Sequence, residues 1–328
     1  MNIAYTVPMT WACRGLIAPF SQVNELVARG HHVDVLAPDE RPVAWFPLQV
    51  RPQRLERVRE AERAYDAVVH VGDSFRAARS FGAARRFLLL QGKDHLWAGG
   101  AERKALLEAY ADRQYSILAL SQWLADFARE RCNNERVAVI GEGVDLTRFF
   151  PDEEPRERIR LLVEGNATDP NKNVREALEV AARVRQYRNV EVWALGRKFP
   201  SPGALVSRIF EDPPQEAIPG IYRKCDLLIE TSVAEGSGLT HLQAMACGCV
   251  PATYASGGVA DFCRHGENSI VTGVGNVATL VWHVLCFVGD AEMRCRLRTN
   301  ATATAQSRSW GQVAQALEKA FGQKLEGS

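Results

Sequence analysis

The segment Glu230-Thr231-Ser232-Val233-Ala234-Glu235-Gly236-Ser237-Gly238-Leu239-Thr240-His241-Leu242-Gln243-Ala244-Met245-Ala246-Cys247-Gly248 gathers the residue types most able to do chemistry. The apolar run Leu227–Glu230 reads as a strand, and the pattern from Leu239 onward reads as a helix. A Gly-x-Gly pair therefore stands where strand gives way to helix. The first amides of a helix have no partner inside it and share the positive end of its dipole, so such a turn suits a phosphate. Glycine lets the backbone approach that anion closely. Glu235 stands just before the turn, and Gln243 lies two turns into the helix on a face that can reach a ribose. Taken alone, Glu235 is equally a carboxylate stabilised by the helix dipole, and the Gly-x-Gly an ordinary turn.

Competing chemistries find less support. The chain shows no Ser-His-Asp constellation, P-loop lysine motif or metal-ligand cluster. Its eight cysteines, Cys13, Cys132, Cys225, Cys247, Cys249, Cys263, Cys286 and Cys295, include no C-x-x-C pair. Free, buried thiols are expected, and no zinc. A nicotinamide-dependent oxidoreductase would carry G-x-G-x-x-G after the first strand, and Val7–Gly15 lacks it. The histidines have structural readings. His31 and His32 follow a helix-ending glycine, His241 packs in the core, and His70 is either a buried histidine or an acceptor contact. Ser121 is expected to cap a helix, with Trp123 buried. Asp145 is open between a helix cap and a functional carboxylate.

The elements that must position these residues follow from periodicity. Asn2–Val7, Val33–Ala37, Ala67–Val71, Phe87–Leu90, Ile117–Leu120 and Val137–Ile140 read as strands. They alternate with helical patterns at Ala18–Arg29, Arg54–Ala64, Ser74–Gly82, Ala101–Arg113 and Gln122–Arg131. Strands joined through helices must pair in parallel, giving a doubly wound α/β domain. The alternation restarts with strands Ile159–Glu164, Val190–Leu195, Leu227–Glu230 and Val250–Thr253. The helices there are Asn173–Tyr187, Gln215–Lys224 and Leu239–Cys247. Phe149–Glu157, charged and bearing two prolines, reads as the linker. Two Rossmann-like domains are expected: 1–150 plus a returning helix at 309–325, and 156–308, facing each other across a ligand cleft. The chain's 328 residues agree with two domains. Its 40 Lys+Arg against 39 Asp+Glu give a net charge of +1 and no argument for nucleic-acid binding. No apolar run approaches the roughly 20 residues that span a bilayer, and the first residues do not resemble a signal peptide. A cytoplasmic location is expected, with nothing indicating peripheral membrane association.

The whole segment resembles the signature of retaining family 4 glycosyltransferases of the GT-B type. There a Glu, a Gly-Phe-Gly-Leu-like turn, a second Glu eight residues after the first and Ala-Met-Ala-x-Gly stand in that order. Val250–Phe262, with Gly257-Gly258, and Gly266-Glu267-Asn268-Ser269 are similar to the segments that follow it. Val163-Glu164-Gly165-Asn166 with Lys172-Asn173 resembles the family's Gly-Arg…Lys-Asn phosphate site. Ser121-Gln122-Trp123-Leu124 and Gly143-Val144-Asp145, with Phe149 and Pro151, resemble two further elements. Leu89-Leu90-Gln91-Gly92-Lys93-Asp94 stands where many members end a strand in His-Asp, and Gln there is similar to a rhamnosyltransferase-like branch.

The resemblance implies transfer of a sugar from a nucleoside diphosphate sugar to a carbohydrate or glycoside hydroxyl, without a metal or other cofactor. Lys172, Glu235 and Asp94 would be the catalytic residues. The donor would meet Asn166, Lys172, Arg197, Glu235, Gly236, Ser237, Gly238, Leu239 and Gln243. The acceptor would meet Arg14, Gly15, Gln91 and His95. Three departures from the pattern bear on these roles, besides Glu142 for an Asn and the single glycine of Thr10–Gly15. Gln243 replaces a Glu and loses a charge. Asn166 replaces an Arg, a loss for which Arg197 on the next strand could compensate. Gln91 replaces a His, leaving Asp94 or His95 to contact the acceptor. A catalytically degenerate sugar-nucleotide-binding protein of the same fold is the alternative reading.

Overall fold

The computed structural model describes residues 1–56, 65–78, 85–92, 99–152, 158–199 and 203–322. The chain divides into two units, one of Met1–Gly143 with Trp310–Ser328 and one of Val144–Ser309. The division falls before the expected linker because Val144 and Phe149 are buried in the core of the second unit.

In the first unit seven strands pair in the order β3-β2-β1-β4-β5-β6-β7. They are β1 (Asn2–Thr6), β2 (His32–Ala37), β3 (Gln53–Arg54), β4 (Ala67–Val71), β5 (Arg86–Leu90), β6 (Ser116–Ala119) and β7 (Val137–Val139). Every pairing is parallel. Residues of β1 and β4 are almost wholly buried, the pattern of a sheet covered on both faces. The helices are α1 (Ile17–Ala28), the short α2 (Phe75–Ala78), α3 (Gly100–Ala111) and α4 (Gln122–Cys132). Ser121 caps α4 as expected, accepting a hydrogen bond from the Leu124 amide. Part of the helices expected at 54–64 and 74–82 lies outside the described residues.

In the second unit six strands pair, again all in parallel, in the order β10-β9-β8-β11-β12-β13. They are β8 (Arg160–Asn166), β9 (Glu191–Arg197), β10 (Arg208–Glu211), β11 (Leu227–Glu230), β12 (Val250–Tyr254) and β13 (Ile270–Thr272). The helices are α5 (Val174–Tyr187), α6 (Ile218–Arg223), α7 (Leu239–Ala246), α8 (Val277–Gly289) and α9 (Ala291–Gln306). The order reverses between β8 and β11, so the loops after those two strands diverge at one end of the sheet and leave room for a ligand. Lys172 lies on the first of these loops and Glu235 on the second.

The last helix, α10 (Trp310–Gly322), packs against α1 in the first unit. Trp310, Val313, Ala314, Leu317 and Phe321 are buried, and the Phe321 ring lies 5.2 Å from that of Phe87. Glu318 locks the contact electrostatically: Arg29 donates to it at 2.9 and 2.7 Å, and His31 Nε2 lies 2.9 Å away. The hydrogen bonds from Arg29 and His31 hold the Glu318 carboxyl down at about 2. All eight cysteines are free, and Cys295 is exposed, contrary to the expectation of buried thiols throughout. Among the described residues no helix is long and apolar enough to cross a membrane.

Candidate functional site

The second unit brings Lys172 and Glu235 together although they lie on different loops. Lys172 Nζ donates to Glu235 Oε2 at 2.7 Å and stands 3.5 Å from Glu230 Oε1. The backbone explains the meeting. The Asn171 side chain donates to the Ala234 carbonyl at 2.8 Å and accepts from the Ala234 amide at 2.9 Å. The Val233 amide donates to the Asn171 carbonyl at 2.9 Å, and Thr231 Oγ1 to the Asn173 carbonyl at 2.8 Å. These four bonds join the loop after β8 to the loop after β11. On its other side Glu235 is pinned to the loop after β12, donating to the Ser256 carbonyl at 3.0 Å and accepting from the Gly258 amide at 2.8 Å.

Two glycines are required here. Gly238, at the cap of α7, has φ 78°, and a Cβ on it would stand 2.7 Å from Phe262. Gly165, at the end of β8, has φ 153°, and its Cβ would stand 2.7 Å from Val174 and 3.3 Å from Lys172 Cβ. A side chain at Gly165 would push on the loop that carries the lysine. Beyond Gly238, α7 begins with amides that find no acceptor within the helix itself. Gly236, Ser237 and Leu239 are half-buried. Gln243 is buried on the second turn of α7.

Glu230 is the residue that sequence reasoning missed. It is 2% exposed, at the end of an apolar strand inside the sheet. Ser232 Oγ donates to its Oε1, and the Ser232 amide to its Oε2 at 3.3 Å. His241 Nε2 lies 3.4 Å from Oε2 and 3.0 Å from Thr253 Oγ1. Burial opposes ionisation of Glu230, yet the Lys172 ammonium and the His241 and Ser232 contacts prevail and hold the carboxyl below the ordinary carboxylate range. The available signal was a charged residue closing an otherwise apolar strand, since a buried carboxylate calls for a cation. His241 is wholly buried, as its structural reading expected, but it packs against this carboxylate.

Two of the expected donor contacts are engaged elsewhere. Asn166 turns its side chain into its own loop, where Oδ1 accepts from the Thr168 amide at 3.2 Å and Oγ1 at 2.9 Å. Arg197 pairs with Asn166 in the β8–β9 register, and its guanidinium donates to Asp212. Asn166 thus shapes the loop that presents Lys172. In the first unit, Arg14 and Gly15 lie on an exposed 3-10 turn (Arg14–Leu16), and Gln91 is half-buried after β5. Asp94 and His95 lie outside the described residues. His70 is buried, with Nδ1 2.8 Å from Thr6 Oγ1. Burial, with Arg86 adding, pushes its pKa down to about 4, so the ring is neutral at pH 7. Among the described residues no group of three or more His, Cys, Asp or Glu is arranged to hold a metal ion.

Two parallel α/β units, the second with its charged loops gathered at one end of the sheet, make up the GT-B fold. Within the second unit, residues 204–304 match the family described as Glycosyl transferases group 1. Curated relatives include D-inositol 3-phosphate glycosyltransferases. That of Rhodococcus jostii is 24% identical over 213 residues, 57% of this chain and 47% of the relative. That of Nocardia farcinica is 26% identical over 220 residues, 59% of this chain and 49% of the relative. The alignments thus span about half the length of these relatives. Among solved structures, Anabaena Alr3699/HepE in complex with UDP and glucose aligns with TM-score 0.80 at 15% identity, over 98% of this chain and 99% of that one. Sucrose-phosphate synthase from Thermosynechococcus elongatus aligns with TM-score 0.75 at 16% identity, over 98% of both chains.

Proposed function

We propose that this chain is a retaining glycosyltransferase of family 4. It would move a hexose or deoxyhexose from a nucleoside diphosphate sugar to a hydroxyl of a glycan, glycolipid or small glycoside. The observation that carries the reading is the Lys172 ammonium held against Glu235 beside the start of α7. A cation and the amides of a helix N-terminus suit a diphosphate, and a carboxylate next to them suits sugar hydroxyls. The glycosyltransferase match over 204–304 and the UDP bound to the Anabaena relative support it.

In this reading Lys172 and the Gly236–Leu239 backbone meet the diphosphate, Glu235 the sugar and Gln243 the ribose. The acceptor binds on the first unit near Arg14, Gly15, Gln91 and His95, with Asp94 as the catalytic residue that the family resemblance implies there. The acceptor oxygen bonds to the anomeric carbon as the bond from that carbon to the diphosphate breaks, and the departing diphosphate takes the hydroxyl proton. The protein contributes position and positive charge where negative charge grows, without a metal.

The degenerate binder remains the second reading, favoured by one observation: Asn166, where the family pattern has an Arg, is neutral and turned into its own loop, and Arg197 is paired with Asp212. A thermal-shift panel of UDP, GDP, dTDP and ADP sugars, run with and without EDTA, tests the donor site. A cognate donor at about 100 times its Kd adds about 2.7 kcal/mol of stability, a rise of about 5 °C or more in midpoint. The rise is expected for one base and to be the same with EDTA. No rise with any sugar nucleotide, or one abolished by chelation, would contradict the reading.

A further inference from the structure

Lys172 serves two carboxylates of unlike character. Glu235 is a loop residue whose side chain is 15% exposed, and it holds the ammonium at 2.7 Å. Glu230 is buried within the sheet and stands 3.5 Å from the same nitrogen. The donor reading asks Lys172 to hold a diphosphate and Glu235 to hold a sugar, so their mutual ion pair must open when the donor arrives. Glu230 has no such alternative. Both of its oxygens are occupied by donors from neighbouring elements: Ser232 on its own loop, His241 on α7 and Lys172 from the loop after β8. His241 is in turn in contact with Thr253 on β12. A carboxylate in this position keeps its cation, because losing it would leave a buried charge unpaired.

Resting on the donor-site reading above, we propose that Glu230, braced by Ser232 and His241, is a positioning residue for Lys172. It anchors the ammonium while Glu235 is released, so the Lys172–Glu235 pair is the resting state that the donor opens. Lys172 and the two carboxylates formally sum to one negative charge, unfavourable for an incoming diphosphate. Release of Glu235 to the sugar relieves this, and Glu230 keeps the lysine from following.

The test compares Glu230→Gln, Lys172→Ala and the double variant by melting temperature, turnover of the donor found in the panel and affinity for that donor's nucleoside diphosphate (UDP where it is a UDP sugar). Glu230→Gln keeps the shape and removes one negative charge beside Lys172. It should bind that diphosphate within about threefold of wild type or more tightly, while kcat falls about tenfold or more. A general structural lesion would weaken both together. Lys172→Ala should melt below the double variant, because only the single variant strands a buried carboxylate. Ser232→Ala, which removes one donor to Glu230, should lower kcat by a smaller factor and leave the diphosphate affinity unchanged. Parallel losses of diphosphate affinity and kcat in Glu230→Gln, wild-type kcat in that variant, or a double variant melting no higher than Lys172→Ala would each overturn the proposal. A wild-type chain that binds no nucleotide would sink the donor-site reading itself. A wild type that binds and turns over beside an unaltered Glu230→Gln would sink the positioning role alone.

Discussion

Lys172→Ala is expected to lower turnover by about one-hundred-fold or more while weakening nucleotide-sugar binding by less, the loss typical of removing one preorganised charge-stabilising donor. The asymmetry follows from when its partner becomes charged. The bridging phosphate oxygen gains negative charge only as the glycosidic bond breaks, so the ammonium contributes most at the transition state. Lys172 is also the cation paired with Glu230 and Glu235 at these loops, whereas the Arg197 guanidinium is directed to Asp212. Steady-state kcat beside calorimetric donor affinity reads the difference. Unchanged turnover would move the phosphate site away from the loop after β8, with Arg197 the next residue to replace.

Glu235→Gln separates the sugar from the nucleotide. A carboxylate accepting hydrogen bonds from sugar hydroxyls is worth more than an amide in its place. Affinity for the sugar nucleotide should therefore fall about tenfold or more, whereas the matching free nucleoside diphosphate, which carries no sugar, should change by less than about threefold. The variant also frees Lys172 from its nearest carboxylate at 2.7 Å, which favours the diphosphate and widens the split. Calorimetry with both ligands on both proteins measures it. Equal weakening of the two ligands would reduce Glu235 to a carboxylate stabilising the start of α7.

The sheet strands of both units were legible because a parallel strand covered on both faces is a short, nearly continuous apolar run between helical patterns. β4 and β11 match their expected limits to the residue. Of the strands at the sheet edges, β7 was legible, read at Val137–Ile140 and found at Val137–Val139, and the other three were not. β3 has two residues, β13 has three, and β10 is largely exposed, so none carries a periodic signal. α8 is apolar nearly all round and α9 polar nearly all round, and neither offers the contrast between faces that marks an amphipathic helix. At the site, glycines and loop residues were readable because their types are tied to backbone demands: Gly238 must take a positive φ, and Gly165 must admit Lys172. Glu230 was hidden because a charged residue ending a strand reads as the first residue of a loop. Only the tertiary fold shows it buried between Lys172 and His241. The side-chain direction of Asn166 and Arg197 was equally beyond spacing, since each found a local partner in Thr168 or Asp212.

The most direct test of the glycosyltransferase reading is transfer itself. The donor that stabilises the chain is incubated with sugar, glycoside and glycolipid acceptors, and released nucleoside diphosphate and new glycoside are quantified together. The account predicts that both appear in equal amounts with at least one acceptor, with the anomeric configuration of the donor retained in the product. Donor binding with neither release nor glycoside would contradict it and make the chain a sugar-nucleotide binder.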